Sequence, residues 1–168
     1  MILNLVKPDN DILKQKAPTF DFVNPPTDPI QLAKDLYETL LATKYLCLTA
    51  SQVGLPYRAF ALRTTPGIVV FNPYIIDATT EIISLDEMCI TYEHLVLPIK
   101  RARRIKVRYR EPNSSPKTEV FDGMTARYFI QAVDQLNGIV YTQHASQYHL
   151  EKGMRLKKKL DRQAKKEL

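Results

Sequence analysis

Apolar residues recur at helical spacing in three parts of the chain. The first part begins at Pro29, a good first-turn residue with Asp28 as its N-cap, and its apolar positions continue to Leu41. The second part, from about 124 to 137, has a wide apolar face and ends before Gly138. The pattern predicts an amphipathic helix, then a mostly buried helix, then a mostly exposed C-terminal helix. The apolar stripe of the last helix is thin and consists of Leu156, Leu160, Ala164 and Leu168.

Short runs of β-forming residues fill the region between the first two helices. The runs are AFAL, GIVVFN, YIIDA, EIISL and RRIKVRYR. In the last run Ile105, Val107 and Tyr109 alternate with basic residues, as in a strand with one buried face. The segment EPNSSPKTEVFDG predicts a hairpin-like turn before the buried helix, and IVYTQ after that helix predicts a short strand.

Size and composition fit a single soluble domain. A chain of 168 residues can bury a real core, and 45% hydrophobic with 25% charged residues is the balance of a globular protein. No run approaches the ~20 apolar residues of a membrane span, and the opening MILNLVKPDND does not resemble a signal peptide. We therefore expect a cytoplasmic protein with no membrane partner. Residues 1–151 form the predicted body, and residues 152–168 form a basic helical extension of the same domain.

The net charge of +6 is concentrated in this extension. Residues 1–151 contain sixteen basic and sixteen acidic residues, whereas residues 152–168 contain eight basic and two acidic ones. A basic surface of this kind favours phosphates or an acidic protein face as partners, and a solvated surface without a partner is the alternative. The eight cations are Lys152, Arg155, Lys157, Lys158, Lys159, Arg162, Lys165 and Lys166. A second basic surface is expected on the run Lys100–Arg110, read as one strand, at Arg104, Lys106, Arg108 and Arg110.

The reactive residues do not assemble into an intact active site by spacing alone. Cys47 and Cys89 are too few for a disulfide scaffold and are predicted to be free thiols or one metal ligand. Two carboxylates precede Cys89, which disfavours a reactive thiolate. His144 and His149 are five positions apart, about 140° on a regular helix, and are poorly placed to chelate one ion. The sequence contains no nucleophile elbow and no glycine-rich phosphate loop.

Several blocks in order carry a resemblance to a known family. They are ILNLVKPDNDILKQKA, YLCLTASQVG, NPYIIDATTEIISLDEMCIT, RRIKVRY and DGMTARYFIQAVDQLNGIVY, and they span roughly residues 1–142. In these blocks the chain resembles peptide deformylase, the metal enzyme that removes the N-formyl group from new polypeptides. The resemblance implies an α+β fold with antiparallel sheets packed around the central buried helix, flanked by the N-terminal amphipathic helix and the basic C-terminal helix.

The resemblance also implies where the family's functional residues lie, and the chain departs from several of them. In YLCLTASQ, Gln52 matches the glutamine that helps to hold the substrate carbonyl oxygen. Tyr45 and Cys47 replace family glycines there and should narrow the substrate groove. In EMCIT, Glu87 persists and Cys89 matches the metal-ligating cysteine.

The third family motif, a helix with two ligating histidines and a catalytic glutamate, is the most altered. In QAVDQ, Gln131 and Gln135 stand at the histidine positions and Ala132 at the glutamate, while Asp134 persists. Neutral amides are weak ligands, and without ion and glutamate both water activation and general acid/base catalysis are lost. We expect no catalytic residue, no metal and no cofactor. The predicted remnant pocket, with its two glutamines hydrogen-bonded to the cysteine, consists of Gln52, Glu87, Cys89, Ile90, Gln131, Ala132, Asp134 and Gln135.

Three hypotheses follow from these substitutions. The first is a catalytically inactive deformylase-like protein that acts by binding, in contact with ribosomal RNA or a ribosomal protein through its basic C-terminal helix. The second is a structural subunit of a larger assembly such as a viral particle, which would place the protein within a virion. The third is a binder of formyl-methionine peptides without cleavage, and Tyr45 and Cys47 argue against it.

Overall fold

The computed structural model describes residues 1–166, in which three α-helices and seven strands are interspersed. The helices are α1 (Pro29–Leu41), α2 (Gly123–Leu136) and α3 (Gln147–Ala164). The strands are β1 (Cys47–Thr49), β2 (Ala59–Leu62), β3 (Ile68–Ala78), β4 (Ile82–Glu87), β5 (Leu97–Ala102), β6 (Arg104–Arg110) and β7 (Pro116–Asp122). Short 3-10 helices span Asp11–Lys14, Ala50–Val53, Ile90–Tyr92 and Tyr141–His144.

All strand pairs are antiparallel, and they form two sheets. The larger sheet has five strands in the order β1-β2-β3-β6-β7, and the smaller sheet pairs β4 with β5. Strand β6 alternates exposed and buried residues along its whole length, so one face of the larger sheet meets the core. The predicted α+β fold with antiparallel sheets is confirmed.

Helix α2 lies at the centre of the fold. Its apolar face packs on the larger sheet, where the Phe129 ring contacts Phe60 at a centroid distance of 5.0 Å and Phe121 at 5.5 Å. Gly138 follows the helix with a φ of +76°, and a Cβ there would lie 2.5 Å from the Lys14 carbonyl oxygen. Only glycine meets both conditions. The buried helix predicted over about 124–137 is confirmed.

Helix α1 covers another part of the larger sheet. The carboxylate of Asp28 accepts the backbone N–H of Ile30 at 2.9 Å and caps the helix as predicted. Leu36 and Leu40 are fully buried in a second apolar cluster that includes Phe71 of β3. The N-terminal amphipathic helix is therefore confirmed.

Helix α3 is mostly exposed and begins before the predicted extension. Gly153 is buried in this helix, and a Cβ at that position would lie 2.7 Å from Leu97 Cδ2 on β5. The predicted boundary at residue 152 lies inside the helix, and the division of the domain there stays a prediction. Leu168, the last residue of the predicted apolar stripe, is outside the described residues. Within residues 1–166 no helix is long and apolar enough to cross a bilayer.

The basic run predicted as one strand is divided between the two sheets. β5 ends at Ala102 and β6 begins at Arg104, so the single strand expected over this run is wrong. Arg103 separates the two strands. Its backbone N–H donates to the Glu81 carbonyl at 2.9 Å, and its own carbonyl accepts the N–H of Gly123 at 2.8 Å. These two bonds fix the chain where it passes from one sheet to the other.

Two further segments differ from their predicted structures. IVYTQ is not a strand, because Tyr141 is buried in a 3-10 helix and its hydroxyl donates to the Leu95 carbonyl at 2.6 Å. PKTEVFD, which the sequence places in a turn, forms the edge strand β7 opposite β6. Most of its residues are exposed and most are polar, so the sequence pattern does not indicate a strand. The strand forms because its backbone pairs with β6.

Replacement of the central aromatic of α2 should destabilise the whole domain. We expect Phe129→Ala to lower the free energy of unfolding by about 3–5 kcal/mol, because the Phe129 ring is fully buried and leaves a cavity. Urea denaturation measures the change. The control Val120→Ala removes a side chain that is 59% exposed and should cost less than about 1 kcal/mol. Equal losses in the two variants would contradict the central role of α2.

Candidate active site

Three parts of the chain meet at a hydrogen-bonded cluster. The 3-10 helix after β1 contributes Gln52, the turn after β4 contributes Cys89, and α2 contributes Gln135. The amide nitrogen of Gln52 donates to Cys89 Sγ at 3.2 Å, and that of Gln135 donates to the same sulfur at 3.1 Å. Gln52 also donates to Thr91 Oγ1 at 2.9 Å. Two amide groups therefore direct their N–H donors at one sulfur atom.

Thr49, the last residue of β1, sets the orientation of Gln52. The Thr49 backbone N–H donates to Gln52 Oε1 at 2.9 Å, and the Thr49 hydroxyl donates to the same oxygen at 3.1 Å. Thr49 is fully buried and Gln52 is 3% exposed. Because Thr49 occupies the amide oxygen, the NH₂ group of Gln52 must face Cys89 and Thr91.

The other two altered positions of α2 have different surroundings. Gln131 is four residues before Gln135 and therefore lies one turn away on the same side of the helix. Its Nε2 donates to Glu87 Oε1 at 3.3 Å and to the Met88 carbonyl at 3.2 Å. Ala132 is fully buried in the apolar core that contains Phe129, and it does not line the pocket. The predicted pocket residues therefore divide into a polar group around Cys89 and an apolar position behind it.

The pocket enclosed by these residues is very small. Its volume is about 10 Å³, at the lower limit of the space that one water molecule needs. Tyr45 and Cys47, at positions where the resemblance implies glycines, both line it, and so does Ile90. Met88, at the mouth, is half exposed. The chain's own side chains fill the centre of the pocket.

Glu87 joins the cluster to a buried network of charges. Its carboxylate accepts hydrogen bonds from Arg101 Nη2 at 2.9 Å and from Arg127 Nη1 at 2.6 Å, and the three side chains are at most 4% exposed. Arg101 also donates to Asp134 Oδ2 at 2.7 Å, and His144 Nε2 lies 3.0 Å from that oxygen. Asp134 therefore belongs to the charged network and does not line the pocket.

Arg101 and Arg127 are the main site residues that the sequence analysis missed. Arg101 belongs to the basic run expected to be exposed, but on β5 it follows the buried alternation of Leu97 and Ile99. Arg127 is a cation next to Ala126 on the buried side of α2. Its position on that side could have indicated a buried ion pair. A cation on an apolar helix face needs a buried partner, which here is Glu87.

Neither cysteine is an activated nucleophile in this arrangement. Burial raises the pKa of the Cys89 thiol above its usual range, and hydrogen bonds from Thr91 and Gln135 oppose this only in part. Burial also raises the pKa of the Cys47 thiol, and the nearby Cys89 adds to the effect. Both cysteines are free. Because the thiols stay protonated at neutral pH, Cys89 acts here as a hydrogen-bond partner.

The predicted basic residues lie on β6, on α3 and in the turn that follows α3. All four predicted cations of β6 are exposed. Of the eight cations from residue 152 onward, Lys157 is half-buried and donates to Asp161 Oδ2 at 2.6 Å, whereas the others are exposed. Contacts of these surfaces with RNA or with another protein stay predictions.

The three parts of the chain that meet at Cys89 all fall within one family match. The polypeptide deformylase family model matches residues 2–151. The chain belongs to the peptide deformylase family. It is 27% identical to the peptide deformylase of Wolbachia pipientis over 173 residues, which cover 94% of each chain. It is 33% identical to that of Thermotoga petrophila over 106 residues, which cover 62% of this chain and 65% of the relative.

Solved peptide deformylase structures agree with this membership. A Met-Ala-Ser-bound class I type b peptide deformylase from Acinetobacter baumannii has a TM-score of 0.78 and 26% identity, over 86% of this chain and 98% of that one. The peptide deformylase of Legionella pneumophila has a TM-score of 0.87 over 98% of both chains. At 18% identity, the second likeness speaks for the fold alone.

These matches correct the functional hypotheses drawn from the sequence. The expectations that the chain is no enzyme, an inactive ribosome-binding protein or a structural subunit of a viral particle are wrong. The family model describes polypeptide deformylases, and every relative named above is a peptide deformylase. Those hypotheses rested on three positions of α2, at Gln131, Ala132 and Gln135. The family match extends over residues 2–151.

The metal ion that the family implies does not fit the donor set around Cys89. A cation needs lone pairs, but Gln52 and Gln135 direct N–H groups at the sulfur, and Gln131 also uses its NH₂ group as a donor. The thiol that would serve as a ligand has a raised pKa. Within residues 1–166 no group of three or more His, Cys, Asp or Glu side chains could hold a metal ion. No step of the chemistry is therefore assigned to a metal here.

The charged network should contribute strongly to stability. We expect Glu87→Gln to lower the free energy of unfolding by about 3 kcal/mol or more, because Arg127 would be left buried without a carboxylate and Arg101 would keep only Asp134. Urea denaturation of both variants measures this. The control Glu81→Gln breaks an exposed pair with Arg103 and should cost less than about 1 kcal/mol. A loss for Glu87→Gln no larger than for Glu81→Gln would contradict the role assigned to the network.

Proposed function

We propose that the chain acts on the formylated N-terminus of peptides, at the pocket around Cys89. The observation that carries the proposal is the family match over residues 2–151, which contains every segment that meets in this pocket. The A. baumannii relative, solved with Met-Ala-Ser bound, supports a peptide N-terminus as the ligand class. The reaction consumes one water, breaks the formyl C–N bond and yields formate and a free amine.

Gln52 is the residue we assign to the formyl oxygen. Its amide oxygen is occupied by Thr49, so its NH₂ group is oriented before any ligand arrives. That group now donates to Cys89 Sγ and Thr91 Oγ1, both neutral acceptors that a formyl oxygen can replace. A preoriented donor at a carbonyl oxygen stabilises the negative charge that develops there during hydrolysis.

Entry of a substrate requires the pocket to enlarge. A volume of about 10 Å³ cannot hold a formyl group together with a methionine side chain. Met88 is half exposed at the mouth, so its side chain can move into solvent with little loss of packing. Tyr45 and Tyr128 are the other large side chains that line the pocket, and they limit the width that remains.

We also propose that the site is an altered one. Gln131 and Gln135 stand at the positions of the two family histidines, and Ala132 stands at that of the glutamate. A general acid/base typically contributes about 10²–10⁴-fold to a rate, and the buried Ala132 cannot supply it. Binding and orientation of the substrate are therefore the main contributions left to the chain. Turnover should be slow in proportion.

The activity is tested by formate release from formyl-Met-Ala-Ser. We expect the chain to release formate at least about 10²-fold more slowly than a relative with the histidines and the glutamate. Gln52→Ala should reduce the rate by a further factor of about 10². The matched control, Gln143→Ala, changes an exposed glutamine and should leave the rate unchanged. No formate above the level without protein, or equal rates for the two variants, would contradict the proposal.

The assignment of altered ligand positions has a test of its own. If Gln131 and Gln135 occupy the family's ligand positions, Gln131→His combined with Gln135→His should create a three-ligand site with Cys89. We expect this variant to retain about one Zn²⁺ per chain after dialysis, measured by elemental analysis, and the wild-type chain to retain none. Adding Cys89→Ser should lower retention again. A double-histidine variant that holds no more zinc than the wild type would sink the assignment without bearing on formate release.

A further inference from the structure

The outer face of the larger sheet has a row of four exposed cations on β6. Arg104, Lys106, Arg108 and Arg110 occupy alternate positions of β6, and all four are exposed. Arg104 is paired with Asp122 at 2.8 Å. In the described part of the chain, the other three have no carboxylate within ion-pair distance. Residues two apart on a strand are about 6.8 Å apart, so these three cations form an extended row.

An exposed aromatic ring stands beside this row. Tyr74 of β3 is 67% exposed, and its Cα partner on β6 is Arg108. Asp77, the acidic residue of β3 opposite Lys106, accepts the backbone N–H of Ala78 at 2.9 Å. Tyr74 and Arg108 are both exposed, so a ligand can reach the ring and its cationic neighbour together.

Tyr74 also lines a groove that contains two cations of its own. The groove has a volume of about 540 Å³, which is the size of a small-molecule pocket. Tyr74 lines it together with Lys16 and the half-buried Arg58, and no acidic residue does. A negatively charged group in this groove would meet positive charge on its protein side.

Within residues 1–166, Arg58 has no carboxylate in ion-pair distance. It donates to Asn137 Oδ1 at 2.9 Å, to the Leu136 carbonyl at 3.3 Å and to the Pro73 carbonyl at 3.4 Å, all of them neutral acceptors. The bonds to Leu136 and Asn137 cap the C-terminus of α2 and hold the guanidinium in place. The Nε–H and one Nη2–H have no acceptor within the described residues, and a ligand can use them.

We propose that the surface around Tyr74, which is opposite Arg108 on β6 and lines the groove that contains Arg58, binds single-stranded nucleic acid. An unpaired base can stack on the exposed ring, while the row on β6 and the cations of the groove follow the phosphates on either side. A duplex is disfavoured because its bases are not free to stack on a ring. An acidic protein would use the cations, but it gives no reason for an exposed tyrosine beside them.

Fluorescence anisotropy with a labelled single-stranded RNA of about twelve uridines tests the proposal on the whole chain. We expect Tyr74→Ala to weaken binding about tenfold and Tyr74→Phe to restore it, because the ring does the stacking. Arg108→Gln should weaken binding and reduce the slope of log affinity against log salt by about 0.7. Two matched controls lie outside the proposed site. Tyr148→Ala on α3 changes a tyrosine that is 68% exposed, and Lys44→Gln changes a lysine that is 69% exposed. Both controls should leave affinity unchanged. Arg155→Gln on α3, where the arginine is 82% exposed, tests the other basic surface.

Three results would overturn the proposal. Equal losses for Tyr74→Ala and Tyr148→Ala, or a loss confined to Arg155→Gln, would place the RNA on α3. Displacement of the RNA by poly-glutamate at equal charge, together with no effect of Tyr74→Ala, would identify a surface for acidic proteins. No RNA binding at low salt would remove the site altogether. Circular dichroism of each variant separates loss of binding from loss of fold, since the side chain of Tyr74 is outside the core.

Discussion

The carboxylate of Glu87 is the point on which the rest of the structure depends. It lies at the end of β4 and accepts hydrogen bonds from Arg101 of β5 and Arg127 of α2. Arg127 also donates to the carbonyls of Ile83 and Ile99. One anion thereby joins the small sheet to the central helix. A buried carboxylate without such partners would cost several kcal/mol, so the two arginines and the anion require one another.

This network also sets the geometry of the pocket. Cys89 follows Glu87 by two residues, so a fixed Glu87 fixes the sulfur, and Gln131 donates to both the carboxylate and the Met88 carbonyl. The amides of Gln52 and Gln135 then complete the set of donors around Cys89. Gln131 and Gln135 are therefore hydrogen-bonded, as buried polar groups must be.

The elements with local signals could be predicted from the sequence. The periodicity of α1 and α2, the Asp28 cap and the glycine stop at Gly138 all depend on neighbours along the chain. The division of the basic run at Arg103 and the 3-10 helix at Tyr141 depend on partners far away in sequence, and periodicity does not contain them.

The candidate site shows the same division between local and distant signals. The resemblance led to a predicted cluster of Gln131 and Gln135 with Cys89. Gln135 does donate to Cys89, whereas Gln131 donates to Glu87 and to the Met88 carbonyl, and Gln52 is the second amide at the sulfur. Arg101 and Arg127 were missed because their role exists only once β4, β5 and α2 are packed. The functional hypotheses were wrong for another reason: they rested on three positions of α2, whereas the family match extends over residues 2–151.

The contact at Gly153 has a consequence for how the C-terminal helix can vary. The helix rests on β5 where a hydrogen atom replaces a side chain, and any Cβ would meet Leu97. The absence of a side chain at Gly153 thus sets how closely the helix approaches β5, and all the cations beyond it except Lys157 are exposed. Substitutions that change the exposed charges of that helix should leave the core undisturbed. A side chain at Gly153 would instead change the angle at which the helix leaves the body.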